Sequence, residues 1–170
     1  MRLNMKNSRG FSLIEVLITL VLTVIGVLGM VAMQTKAIQY TAESVTRSTA
    51  VMLVDDMLEL LRSNRDKIYN KKSELIVDSK YFKKEGESFP VLNCNAYDSL
   101  TSAEDPETQL CVWAQHAKAL LPGVTDEVLK NNFYIEQVDS TNAIELGVFW
   151  VGKADECGED LCAYSVVVEI

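Results

Sequence analysis

The sequence predicts an α+β protein in which one long N-terminal helix, membrane-spanning in its first half, packs through its second half on a C-terminal antiparallel sheet. Three observations carry this expectation. A near-continuous apolar run fills Phe11 to Met33, with Glu15 as its only formal charge. No proline or glycine interrupts Val31 to Glu85, and the apolar residues there take up a helical period. From Phe133 onward, segments rich in β-branched and aromatic residues alternate with turn-forming runs.

Residues 1–10, MRLNMKNSRG, carry Arg2, Lys6 and Arg9 with no acid and abut the apolar run directly, as a targeting segment does. A secretory signal would have a shorter apolar core, about 7–15 residues, with small residues at its end. This run closes instead on Val31-Ala32-Met33-Gln34. As a helix its 23 residues reach roughly 35 Å at about 1.5 Å each, enough to cross a hydrocarbon core of about 30 Å. The basic flank keeps the N-terminus cytoplasmic and exports everything after Lys36, which gives a single-pass topology. Gly26 and Gly29 mark either close packing or local flexibility within the run.

Past the span, Ala50, Leu53, Val54, Met57, Leu58 and Leu61 recur at three- and four-residue steps and leave Asp55, Glu59, Arg62 and Asp66 on the other side. One helix from about Phe11 to about Asp66 is therefore expected. Residues 67–90 are lysine-rich and lose the period, as a connecting region does. Leu110 to Leu121 reads as a short helix with Trp113, Ala117 and Leu120 on one side, ended by Pro122-Gly123. Strands are expected at 133–138, 143–151 and 163–170. Ile144, Leu146, Val148 and Trp150 share one face of the second, and Tyr164, Val166, Val168 and Ile170 one face of the third. A three-stranded antiparallel meander results, with the stripe from Ala50 to Leu61 to cover it.

The formal net charge is −8, from 16 basic and 24 acidic residues. Three of the basic ones lie in the first ten residues, so 13 face 24 acidic residues beyond Gly10, a balance of −11. Such a body repels phosphate backbones, and no nucleic acid is expected as a partner. The four cysteines, Cys94, Cys111, Cys157 and Cys162, all fall in the exported half, where an oxidising compartment favours disulfides. Zinc is the competing use, but neither spacing is a paired C-x-x-C and His116 is the only histidine. Four cysteines pair in three ways; the two short loops favour Cys94 with Cys111 and Cys157 with Cys162.

The segment Arg9-Gly10-Phe11-Ser12-Leu13-Ile14-Glu15 resembles the type III signal and N-terminus of type IV prepilins. The resemblance implies that a prepilin peptidase cuts between Gly10 and Phe11, that the new N-terminus at Phe11 is methylated, and that Glu15 is kept in the span for assembly. Elementary energetics points the same way. A lone carboxylate in a span costs about 2–3 kcal/mol if central and less near the interface, so it wants a partner. The α-amino group freed at Phe11 of the same or a neighbouring subunit would serve, while the positive end of the helix favours a carboxylate in its first turn. The alternative is a helix-start glutamate resting at headgroup level.

Further on, Asp56-Met57 and Arg62-Ser63-Asn64 are similar to the end of the long helix in the PilV-like branch of minor pilins, with Leu61 and Ser63 where that branch commonly has methionine and alanine. Trp113, Leu120-Leu121-Pro122-Gly123, Trp150 and the cysteine placement look like that branch too. The resemblance implies a pilin-like ladle with 1–10 as a cleaved leader, 11–33 as the transmembrane and assembly part of the helix, 34–66 as its amphipathic part and 67–170 as the globular periplasmic region. It further implies a minor subunit that promotes assembly or function of a type IV pilus and moves from the inner membrane to the pilus at the cell surface. Its partners would be the prepilin peptidase, other minor pilins and the major pilin, the inner-membrane assembly machinery and membrane lipid. No cofactor, no metal and no catalytic residue is expected.

Rival readings have less to stand on. A type II secretion minor pseudopilin would have the same leader. A membrane-anchored enzyme would need more than His116 as a base, and Asp55-Asp56 and Glu159-Asp160 read as a solvated helix face and a turn. A thiol oxidoreductase would need a C-x-x-C at a helix start. A signal-anchored periplasmic binding domain would need no apolar stripe beyond the bilayer.

Overall fold

Helix α1 runs over Leu13–Ser63, 51 residues, in the computed structural model of the protein. The structure describes residues 11–90, 94, 105–139, 141–152, 157 and 161–170. The expected leader, with Gly10, and the pair Glu159-Asp160 lie outside the described residues. The chain divides into two units, one ending at Ala42 and one of Glu43–Ile170, and α1 contributes to each. In the first unit the helix is exposed on every side.

In the second unit the helix becomes one-sided. Ala50, Leu53, Val54, Met57, Leu58 and Leu61 are all buried, joined by Leu60, while Asp55, Glu59, Arg62 and Asp66 are exposed, as the period predicted. The helix ends earlier than expected, at Ser63, and a separate turn, α2, follows at Arg65–Ile68. Local polar groups cause the break. Ser63 Oγ and Asn64 Nδ2 both donate to the Leu60 carbonyl, at 2.9 and 3.0 Å, and compete with the backbone ladder.

Helix α3 spans Pro106–Leu120, starting four residues before the apolar pattern begins. Asp105 caps it, accepting from Thr108 N at 2.9 Å and Thr108 Oγ1 at 2.7 Å, and Pro106 occupies the first turn. These hydrogen bonds hold the Asp105 carboxyl below its usual range. Trp113 and Ala117 are buried as expected, but Leu120 is not on their side: it is 58% exposed and Leu121 is buried in its place. The reason is the cap, since Leu121 is already extended (φ −100°, ψ 135°) and turns its side chain inward past the last helical residue. A short helix that the period did not reveal, α4 at Asp126–Asn131, follows a Thr125 cap.

The strands are β1 Tyr134–Gln137, β2 Ile144–Val151 and β3 Leu161–Val168, antiparallel in the order β1-β2-β3. Register pairs Ile135 with Leu146 and Leu146 with Val166. Ile144, Leu146, Val148 and Trp150 are fully buried, and Tyr164, Val166, Val168 and Ile170 half-buried, so both predicted faces hold. This face, the α1 stripe and α3 close one hydrophobic core around Trp113, Trp150, Tyr81 and Phe133. Trp113 Nε1 donates to the Leu53 carbonyl at 2.8 Å and so ties α3 to α1. On the outer face the Tyr134 ring lies over its cross-strand partner Gly147, where a Cβ would collide with it. The 67–90 stretch is less loose than expected: it contributes Tyr81 and Phe89 to the core and bridges Lys83 to Ile135 along the β1 edge.

Candidate functional site

The start of α1 is built by Ser12, whose carbonyl accepts from Glu15 N at 3.0 Å and Val16 N at 3.3 Å. The Ser12-x-x-Glu15 spacing is a helix-start signature that the sequence reading left unused. It puts the Glu15 carboxylate in the first turn, where the orphan N–H groups give the helix its positive end. Phe11 precedes that turn and is 78% exposed. Glu15 is exposed too, and among the described residues no cation lies within ion-pairing distance of it.

Beyond Glu15 the helix settles its polar groups internally. Thr19 Oγ1 donates to the Val16 carbonyl at 2.9 Å, and Thr23 Oγ1 to that of Leu20 at 2.8 Å. Neither hydroxyl therefore needs water. Around them the large aliphatic side chains from Leu13 to Met33 stand exposed, with a mean hydropathy of 2.7 over the most apolar 18 residues. That length and composition suffice to cross a bilayer. At Gly26 and Gly29 an added Cβ would meet open space. The surface presents one carboxylate near the start of an otherwise apolar cylinder, which is chemistry for insertion and helix docking and not for bond making.

The second unit holds its cysteines in two local pairs. Cys94 faces Cys111 with Cα atoms 6.2 Å apart, and Cys157 faces Cys162 with Cα atoms 4.9 Å apart, both within disulfide range. His116 sits half-buried on α3. Among the described residues no cluster of three His, Cys, Asp or Glu side chains could hold a metal.

Two buried polar side chains escaped sequence reasoning. Lys83 is 3% exposed; its Nζ donates to the carbonyls of Lys130, at 2.9 Å, and Phe133, and stands 5.2 Å from the Phe89 ring centre. Burial pushes its pKa down to about 8, against the opposing pull of Glu87, Glu85 and Glu136. Tyr81 donates to Gln109 Oε1 at 2.5 Å, and burial raises its phenol to about 12. Lys83 ties α4 and β1 to the segment before them, which makes it a fastening of the fold.

Comparison with known proteins places these features. Residues 32–117 match the model of the Tt1218-like family, described as type IV pilin Tt1218, and residues 5–31 match the prokaryotic N-terminal methylation motif. Neither the curated proteins nor the solved structures include a significant match to the chain.

Proposed function

The chain belongs to the Tt1218-like type IV pilins, a structural and not an enzymatic family, and from that premise we propose that it is a PilV-like minor subunit that promotes pilus assembly or function. In this reading it is made as a prepilin, cut by the prepilin peptidase between Gly10 and Phe11 and methylated at Phe11. It waits in the inner membrane with its N-terminus cytoplasmic and residues beyond Lys36 periplasmic. It then joins other minor pilins and the major pilin through the assembly machinery.

The observation that carries the reading is the coincidence of the methylation motif with an exposed apolar helical stretch, Leu13 to Met33, whose only charge, Glu15, lies four residues past Phe11. Four residues of helix are about 6 Å. A neighbouring subunit displaced along the axis by roughly that rise brings its freed Phe11 amine beside Glu15, and the pair removes a carboxylate from lipid. The cysteine pairs are read as disulfides closed after export, Cys94 with Cys111 and Cys157 with Cys162.

Intact-mass and N-terminal mapping of the protein from membranes tests the proposal. A chain beginning at methylated Phe11 is expected, and Gly10→Leu should leave it full length. A retained Met1, a cut near Met33, or normal shortening of the Gly10→Leu variant would refute cleavage at this bond.

A further inference from the structure

The two edges of the sheet are treated differently. Along β1 the outer side is closed by the Lys83 backbone, whose N–H donates to the Ile135 carbonyl at 2.9 Å and whose carbonyl accepts from Ile135 N at 2.8 Å. Along β3 the sheet ends, and among the described residues no backbone pairs with its outer side. The strand reads LCAYSVVV, without a charge, a proline or a glycine. Charges and prolines are among the devices with which natural proteins blunt an edge. Eight residues at about 3.3 Å each give roughly 26 Å of edge, along which alternate residues turn N–H and C=O outward. Ala163 and Ser165 are small and exposed, and Val167 is 55% exposed, so the exposed face of the strand itself presents nothing bulky or charged to an approaching strand.

We propose that the outer edge of β3 is a docking site for an extended segment of a different polypeptide, apolar and β-branched at alternate positions and basic at its ends. The occupant follows from charge. A second copy would bring another body with a balance of −11 against the first, and like-signed bodies repel on approach. Glu169, exposed immediately beyond the strand, adds a carboxylate at the end of the same edge. A basic-flanked strand meets the acidic surround favourably, and main-chain hydrogen bonds supply the binding. This surface is separate from the apolar helix and does not depend on how that helix is processed.

The test is hydrogen–deuterium exchange of the full-length protein in detergent micelles, with a synthetic peptide of alternating valine and threonine carrying lysine at both ends. At ten times its Kd the peptide is expected to slow outward-facing amides of Leu161–Val168 about tenfold, because they exchange only from the free protein. The β1 edge should be unaffected. The same peptide with glutamate at both ends should slow them less, and Val167→Lys or Ser165→Lys, at unchanged melting temperature, should abolish the slowing. No slowing by the lysine-ended peptide, equal slowing by both peptides, or β3 amides already protected in a dimer without peptide would each overturn the proposal. The last result would name a second copy as the occupant.

Discussion

Between Leu13 and Met33 helix α1 is apolar on every side and exposed; between Ala50 and Leu61 it is apolar on one side, and that side is buried. One element thus carries two solvent codes. The second stretch finds its partner within the chain, in the inner face of β2 and β3 and in Trp113. Among the described residues the first stays exposed, and an apolar surface of that length suits lipid or other subunits.

The sharpest way to break this contrast is to truncate one residue in each stretch. Trp113→Ala should destabilise the second unit by about 3–5 kcal/mol, since it empties a fully buried site and leaves the Leu53 carbonyl without its indole donor. Leu17→Ala, at an exposed position, should move the same melting transition by less than about 0.5 kcal/mol. Equal losses in thermal unfolding would mean that the first stretch also finds its partner within the chain. Next in size is the proposed bridge between Cys94 and Cys111, whose partners lie 17 positions apart in the sequence. Replacing both with serine should cost about 3 kcal/mol in denaturant unfolding, with insertion into membranes unchanged.

Glu15→Leu acts on the other stretch. It should leave processing and insertion intact or improved while lowering the amount in sheared fibres about 30-fold, the equivalent of an interaction of about 2–3 kcal/mol. Fibres that contain the variant at the normal ratio would reduce Glu15 to a helix-start residue.

The smallest effect concerns Lys83. Its folded pKa, about 8, lies below the ordinary 10.5, so the folded state binds fewer protons than the unfolded between those values. Stability from this group is lost as pH falls through about 8, rises between 8 and 10.5, and is fully present above 10.5. Relative to Lys83→Met, the wild-type protein should gain on the order of 1–3 kcal/mol over that window. A parallel pair of stability-versus-pH curves would show that the ammonium is not desolvated.

What could be read in advance was what the chain states locally. The α1 stripe, the inward faces of β2 and β3, and the Gly10-Phe11-Glu15 spacing are periodic or short-range, and the family matches fall where that spacing and the long helix lie. Lys83 was illegible because the carbonyls that bury it belong to residues 47 and 50 positions later. Helix α4 escaped because six residues give too little period to register. The swap of Leu120 for Leu121 came from an extended C-cap that a helical wheel extrapolates straight through. The cap of α3 was legible and overlooked, since Asp105-Pro106 ahead of Thr108 spells a helix start.

Trp113 and Trp150, the only two tryptophans, both lie in the core of the second unit. Their emission therefore reports on the second unit alone, and moving the protein from detergent to vesicles or fibres should leave the spectrum unshifted while that unit stays folded. The chain carries its own optical gauge, already placed in the unit that builds the hydrophobic core.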